Sequence, residues 1–245
     1  GRVVSATLNV TGETLYLGTD GGDVVSADFS GGAGREIAID TTPVNRERRP
    51  VTALGFLNGG YALALGDASG RAEVWFPRRE GGEFRLRRSA SWGPVADEKI
   101  EAFAVSGRDR GFFALGAGGD IRWLYSTNAK ELLPLPGDGP RAVAVASNAR
   151  ADRLATLHAD GSLRIRFLDA SHPEAGFAGF FRRLMYEGYE KPAFVWQSTG
   201  SDASEPKLPL VPLVWGTVKG AAYALVLAAP PALAAALYLS PSARA

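Results

Sequence analysis

Short stretches in which hydrophobic and polar residues alternate fill the first two thirds of the chain. An alternating strand, a short turn, a second strand, a glycine-centred turn and a third strand recur four times in this order. The glycine-centred turns contain Gly22, Gly70, Gly119 and Gly161, which are 48, 49 and 42 residues apart. The pattern therefore predicts a tandem repeat of small antiparallel sheets.

The strands within each repeat follow a common order. Inner strands, which alternate or are apolar throughout, are predicted at VSATLNV, VTALGFL, EAFAVSG and AVAVASN. Second strands are predicted at LYLGT, YALALG, FFALGA and RLATLH. Outer strands are predicted at REIAID and FRLRRSAS, whereas ELLPLP is a poorer candidate because proline cannot donate a hydrogen bond to a neighbouring strand.

From Val3 to Asp169 the repeats resemble WD40-like or quinoprotein-like β-propeller blades, which have a period of about 40 to 50 residues. The Gly-His and Trp-Asp signature of WD40 repeats is absent, and only Trp75 and Trp123 occupy its aromatic position. A sandwich of similar strands is the alternative fold. Because a ring of such blades usually needs more than four, we expect later blades of a larger propeller, cut from a longer chain that has lost its initiator methionine.

The C-terminal part of the chain lacks the repeat and contains a long apolar run. Residues Ala221–Leu239 form a run of 19 residues without a charge, close to the length of about 20 residues that crosses a bilayer. Tyr223 and Tyr238 lie near its two ends, where aromatic rings favour the membrane interface. Pro230 and Pro231 predict a kink near its middle. The run predicts a membrane helix, and the alternative is a packed C-terminal helix of a soluble scaffold protein.

An aromatic and arginine-rich connector joins the two parts. Its spacing predicts an amphipathic helix that lies at a membrane interface, with apolar positions at Phe177, Phe180, Phe181, Leu184 and Met185. The alternative is a helix packed under the propeller.

The segments YEGYEKPAFVWQS, EPKLPLVPLVWGTVKG and AAYALVLAAPPALAAALY, between Tyr186 and Ser240, resemble the permease subunit of bacterial phosphate-specific ABC transporters, the PstC type. They are most similar to its extended form, which has a periplasmic domain inserted between the first two membrane helices. Pro209 and Pro231 depart from the family pattern. The matching residues, here called the signature positions, are Tyr186, Glu187, Gly188, Tyr189, Pro192, Trp196, Gln197, Glu205, Pro206, Lys207, Pro212, Gly216, Thr217, Lys219 and Gly220.

The resemblance implies an organisation and a function. Residues 1–169 would form a β-propeller-like periplasmic domain, 170–207 the aromatic connector, and 208–245 the start of the permease transmembrane domain. The protein would reside in the bacterial inner membrane, with residues 1–207 in the periplasm. It would import inorganic phosphate with a second permease subunit, an ATPase subunit dimer and a periplasmic phosphate-binding protein. It would be no enzyme itself and need no cofactor, because ATP is hydrolysed on the ATPase subunits.

Net charge and composition narrow the classes of function. The 27 basic and 26 acidic residues nearly cancel, so the overall charge gives no reason to expect a nucleic-acid partner. The chain has no cysteine and therefore no disulfides or thiolate sites. A propeller enzyme is a further alternative, but the expected clusters of histidine and carboxylate residues are absent from the sequence.

Candidate catalytic residues are few. His158 lies beside Asp160 and Ser162, but the stretch HADGS has the composition of a tight turn between strands. His172 is interpreted as a loop residue before Pro173. The glycine-rich runs at 30–36 and 116–120 lack the lysine and hydroxyl residue of a phosphate-binding loop and are interpreted as turns.

Arginines occur in clusters along the chain, which we interpret as solvated strand faces, with an acidic partner or anionic lipid headgroups as the alternative. The clusters are Arg46, Arg48 and Arg49; Arg78 and Arg79; Arg85, Arg87 and Arg88; and Arg182 and Arg183. Of these, Arg182 and Arg183 are favoured for lipid because they adjoin the aromatic connector. Lys219 is predicted to extend towards headgroups or to attract anions into a transport path.

Overall fold

The computed structural model of the chain describes residues 1–31, 36–80, 83–137, 139–169, 172–200 and 206–242. Within these residues the strands form four sheets, and each sheet consists of strands that are consecutive in sequence and antiparallel to their neighbours. We call these sheets blades 1 to 4 in chain order.

The strand bounds follow the predicted repeat. Blade 1 contains β1 (Val3–Leu8), β2 (Thr14–Thr19), β3 (Asp23–Asp28) and β4 (Ala38–Pro43). Blade 2 contains β5 (Val51–Phe56), β6 (Leu63–Asp67), β7 (Arg71–Glu80) and β8 (Glu83–Pro94). Blade 3 contains β9 (Ile100–Val105), β10 (Gly111–Gly116), β11 (Ile121–Tyr125) and β12 (Lys130–Leu135). Blade 4 contains β13 (Ala142–Ser147), β14 (Arg153–His158) and β15 (Leu163–Phe167). Helices α1 (Phe177–Phe181) and α2 (Val211–Ser242) follow.

The first strand of each blade contacts the first strand of the next, in the order β1, β5, β9 and β13. The four sheets therefore radiate from a common inner edge, as propeller blades do, and the described strands do not form the two facing sheets of a sandwich. Each junction between successive blades encloses its own cluster of buried hydrophobic side chains.

Strand β10, the second strand of blade 3, illustrates why strands in the middle of a blade are apolar on both faces. Phe112 points into the core between blades 2 and 3, where its ring makes edge-to-face contacts with Trp92 and Phe103. The next residue, Phe113, points into the core between blades 3 and 4 and stacks on Trp123 with ring centroids 5.1 Å apart. Because successive side chains alternate between the two faces, a strand between two blades buries every residue.

The glycines that mark the repeat occupy the turn between the second and third strand of each blade. All four have a positive φ: Gly22 (80°), Gly70 (75°), Gly119 (95°) and Gly161 (82°). A Cβ on Gly70 would collide with the carbonyl groups of Ala96 and Glu98, which lead into blade 3. Gly22 and Gly119 approach the segments leading into the next blades in the same way, whereas a Cβ on Gly161 would meet open space.

The outer faces of the first and last blades are apolar and exposed. On blade 1 the exposed residues are Val3, Leu8 and Ile39. On blade 4 they are Val143, Leu157, Leu163, Ile165 and Phe167. These faces carry the kind of side chain that is buried at the three junctions inside the arc, so each resembles half of a blade junction.

The inner and second strands agree with their predicted positions, and several outer elements need correction. The outer strand predicted at REIAID begins later, at Ala38. The segment ELLPLP does form a strand, because Pro134 lies on β12 at the edge of its sheet, where no further neighbour needs its amide hydrogen. The predicted connector helix is correct only over Phe177–Phe181, since Leu184 instead forms a bridge to Ala193.

Helix α2 begins ten residues before the predicted apolar run and continues through Pro230 and Pro231. Its segment Val211–Leu239, of 29 residues, is long and apolar enough to cross a membrane by length and composition. None of the most apolar part is buried against the rest of the chain. In the described structure the apolar surface of α2 is therefore exposed.

Candidate interaction site at the connector

The connector lies against blades 2 and 3. The Asn128 side chain, in the turn before β12, donates hydrogen bonds to the carbonyl groups of Pro173 (3.2 Å) and Glu174 (3.4 Å). Lys130 donates to the carbonyl of Ala175 at 3.4 Å. Met185 packs against the core between blades 2 and 3. The connector is thus fixed to the propeller at several points along its length, as in the alternative of packing under the propeller.

A buried ion pair joins the connector to blade 3. Nη2 of Arg110, just before β10, donates to Oε2 of Glu187 at 2.6 Å. Only 10% of the Arg110 side chain and 23% of the Glu187 side chain are exposed. Burial and the nearby carboxylate of Glu187 both raise the pKa of Tyr61, whose hydroxyl donates to the carbonyl of Pro77. The pair links residues 77 positions apart and fixes the start of the Tyr186–Tyr189 segment.

Lys207 lies in a cage of connector side chains. Its ammonium group donates to Oε1 of Gln197 at 2.9 Å and lies 5.2 Å and 5.7 Å from the ring centroids of Tyr186 and Tyr189. The backbones of Gln197 and Lys207 exchange two hydrogen bonds of 2.8 Å and 2.7 Å. Cation–π attraction and these bonds close the connector into a loop that ends just before α2.

Five signature positions therefore meet in one cluster, which we call the connector joint: Tyr186, Glu187, Tyr189, Gln197 and Lys207. A cavity of about 140 Å³ remains beside it, lined by Arg110, Glu187, Lys207 and the hydroxyl residues Ser126 and Thr127 among others. This volume is below the roughly 300 Å³ of ordinary small-molecule sites. The geometry is that of a joint between two parts of a protein.

The other signature positions lie outside the joint. Gly188 adopts a positive φ of 79° in the turn between the two tyrosines. Pro192 and Trp196 are exposed on the connector, Pro206 is half-buried, and Glu205 lies outside the described residues. The remaining positions lie on the first half of α2, where Pro212 is half-buried and Gly216, Thr217, Lys219 and Gly220 are exposed. The Thr217 hydroxyl donates back to the carbonyl of Leu213, within the helix.

The cations predicted to contact lipid or anions lie just after α1 and in the first third of α2. Arg182 is exposed, and the Arg183 guanidinium lies 5.6 Å from the Phe194 ring centroid. The Lys219 ammonium group lies 5.5 Å from the ring of Tyr223. A hydrogen bond of 2.8 Å from the amide of Leu210 to the carbonyl of Phe180 holds α1 beside the start of α2.

The two histidines have structural partners. The buried His158 ring contacts the carbonyl of Pro140 at 2.6 Å and the hydroxyl of Thr156 at 3.0 Å. Asp160 accepts hydrogen bonds from the amide and hydroxyl of Ser162, which lower its pKa. His158, Asp160 and Ser162 thus form a turn, as predicted. His172 is exposed and contacts Glu174, and no cluster of metal-binding residues occurs in the described parts of the chain.

Comparisons with known proteins identify the fold. No family model matches the chain, and no curated protein matches it. Among solved structures, it is similar to the β-propeller domain of Cps50 (Swd1) from Myceliophteria thermophila, with a TM-score of 0.57, 13% identity and coverage of 69% of this chain and 51% of that one. It is also similar to a chain of the mitotic checkpoint complex, with a TM-score of 0.53, 13% identity and coverage of 69% and 50%.

The chain thus spans about half the length of these two structures. At 13% identity the likeness concerns the fold alone. The protein is mainly β, with antiparallel sheets arranged as in WD40-like β-propellers, and an apolar helix follows the sheets.

Proposed function

We propose that this chain is a β-propeller interaction domain attached to a membrane by α2. The observation that carries the proposal is the exposed apolar surface of α2, which is joined to the propeller through the fixed connector. Leu225, Val226 and Leu227 are each well exposed near the middle of the helix. Exposing such a surface to water is unfavourable, whereas a bilayer or other membrane helices would bury it. The similarity to WD40-like propellers supports the proposal that the sheets form an interaction domain.

Fractionation tests whether α2 attaches the chain to a membrane. We expect the chain to remain with the membrane pellet after washing in alkaline carbonate. The double variant Leu225→Arg/Leu227→Arg will shift to the supernatant, because each arginine costs about 3 kcal/mol near the centre of a membrane helix. The control is Leu163→Arg/Ile165→Arg, which makes the same change on the exposed face of blade 4 and will leave the chain in the pellet. Release of the unaltered chain by carbonate would favour the soluble scaffold instead.

We further propose that the membrane protein is a phosphate-transporter permease of the PstC type, with the propeller in the periplasm. The sequence resemblance between Tyr186 and Ser240 is the basis of this proposal. One structural observation favours it: five signature positions, 186 to 207, meet in the connector joint. In this proposal the joint holds the propeller at a fixed orientation above the first membrane helix that follows it. The second permease subunit and the ATPase dimer would complete the transporter.

Binding to the periplasmic phosphate-binding protein tests this finer proposal. We expect the purified chain in detergent to retain that protein in a pull-down. A periplasmic binding protein for an unrelated solute serves as the control and will not be retained. If neither phosphate-loaded nor phosphate-free binding protein is retained, the transport proposal fails, while the membrane proposal stands on the carbonate result.

We also propose that the propeller has additional blades, and the exposed apolar faces of blades 1 and 4 support this. Additional blades would cover both faces and close the arc into a ring. The open space beside Gly161 supports the same arrangement, because the three other repeat glycines each contact a following blade.

A further inference from the structure

A cavity of about 550 Å³ lies between blades 1 and 2, on the side away from their inner strands. The loop after β4 forms one wall, and strands β6, β7 and β8 form the other. Its charged lining residues are Arg46, Glu47, Arg49, Asp67, Arg71, Glu73, Arg87 and Arg88. Five arginines and three carboxylates give the cavity a formal charge of +2.

The charged wall follows from the alternation of side chains along β7. Arg71, Glu73 and Trp75 lie two residues apart and line the cavity. The opposite face of β7 carries Ala72, Val74 and Phe76, which are buried in the core between blades 2 and 3. Strand β8 adds Arg88 directly opposite Trp75. The fold therefore concentrates on one side of a blade arginines that are far apart in sequence.

Each carboxylate in the cavity already has partners. Glu73 accepts hydrogen bonds from Nη1 of Arg88 (2.9 Å) and Nε1 of Trp75 (2.8 Å). Glu47 forms an ion pair with Arg49. Asp67 accepts hydrogen bonds from Asn45 at 3.0 Å and from the backbone amide of Arg71 at 3.1 Å. The acidic groups are thus held in place and offset only part of the positive charge.

Arg46 and Arg71 supply positive charge beyond these pairs. Both line the cavity, and within the described residues neither guanidinium forms a hydrogen bond or an ion pair. Concave walls of low dielectric strengthen the field of such cations and raise the local concentration of anions. Guanidinium groups match the oxygens of phosphate and carboxylate groups with paired hydrogen bonds.

We propose that this cavity binds a small polyvalent oxyanion, a molecule that carries two or more phosphate or carboxylate groups. The volume of this cavity lies within the roughly 300 to 1,000 Å³ of small-molecule sites and exceeds that of the cavity beside the connector joint. Val44, Leu65 and Trp75 add an apolar portion of wall that suits the carbon skeleton of an organic anion. The inference does not depend on the transport proposal, because it uses only residues of blades 1 and 2.

Isothermal titration with pyrophosphate and with citrate tests the inference on the full chain in neutral-lipid nanodiscs. We expect saturable binding of at least one of the two anions. The variant Arg46→Gln/Arg71→Gln will weaken binding by about tenfold or more, because two guanidinium contacts are lost. The control Arg2→Gln/Arg150→Gln removes the same charge at exposed positions outside the cavity and will bind as the unaltered chain does. Circular dichroism melting checks that both variants fold.

Three outcomes would overturn the proposal. One is the absence of saturable binding for both anions. Another is equal weakening in the cavity variant and the control variant, which would indicate attraction by net charge alone. The third is binding of an oligoglutamate peptide that is much tighter than the binding of either small anion, which would assign the arginines to an acidic protein surface.

Discussion

Replacing Arg110 by alanine will destabilise the protein by about 3 kcal/mol and release the connector from the propeller. The change leaves the carboxylate of Glu187 largely buried and without the guanidinium that contacts it at 2.6 Å. Removing one member of a buried ion pair costs about 3 to 5 kcal/mol, and the partial exposure of Glu187 places the expected loss at the lower end. Chemical denaturation monitored by tryptophan fluorescence measures the stability, and limited proteolysis between residues 188 and 200 reports release of the connector.

An exposed ion pair of similar geometry provides the matched control. Arg122 and Glu131 on blade 3 lie 2.8 Å apart, and more than a third of each side chain is exposed. Glu131→Ala should cost at most about 1 kcal/mol, as surface pairs do, because it leaves the hydrogen bond from Nε of Arg122 to the carbonyl of Val95 in place, and the connector should stay resistant to protease. The double variant Arg110→Ala/Glu187→Ala should lose less stability than the two single variants would if their effects were additive. Equal effects of Arg110→Ala and Glu131→Ala would show that the connector joint does not hold the connector.

Gly70→Ala will destabilise the propeller by about 3 kcal/mol, whereas Gly161→Ala will cost only about 1 kcal/mol. Both residues have a positive φ, so both variants carry the same backbone penalty of about 1 kcal/mol. Only at Gly70 would the new methyl group also collide with the next blade, at the carbonyl groups of Ala96 and Glu98. Denaturant unfolding of the two variants measures the difference directly.

The comparison separates blade contact from turn conformation. Equal losses for the two variants would mean that the backbone conformation alone requires glycine. In a longer protein with additional blades, Gly161→Ala should become as costly as Gly70→Ala, because a following blade would fill the space beside Gly161.

The sequence predicted the strands and turns that recur in each blade. It did not predict contacts between residues that are far apart in sequence and outside the repeat. The spacing of the glycines and the apolar inner and second strands located the blades, because each blade imposes the same turn and the same burial on its own segment. Phe112 and Phe113 are typical: two adjacent aromatic residues belong to a strand that is buried on both faces.

The connector joint could be predicted only in part. A resemblance singled out Tyr186, Glu187 and Lys207, but nothing in the sequence indicated Arg110, because its contact with Glu187 spans 77 positions and is created by the fold. The arginines at 46–49 and 85–88 were interpreted as solvated faces for the same reason. Arg46, Arg87 and Arg88 are exposed in the structure, and the fold also brings them together with Arg49 around one cavity.

The apolar faces at the two ends of the arc have a consequence for the purified chain. The face on blade 1 and the face on blade 4 lie at opposite ends of the arc, so copies that adhere through these two different faces are arranged head to tail. Two copies that meet at the correct angle would close an eight-bladed circle, whereas any other angle extends into an open filament. Light scattering that rises with protein concentration, and that falls when Phe167 is replaced by a charged residue, would be the sign of such self-association.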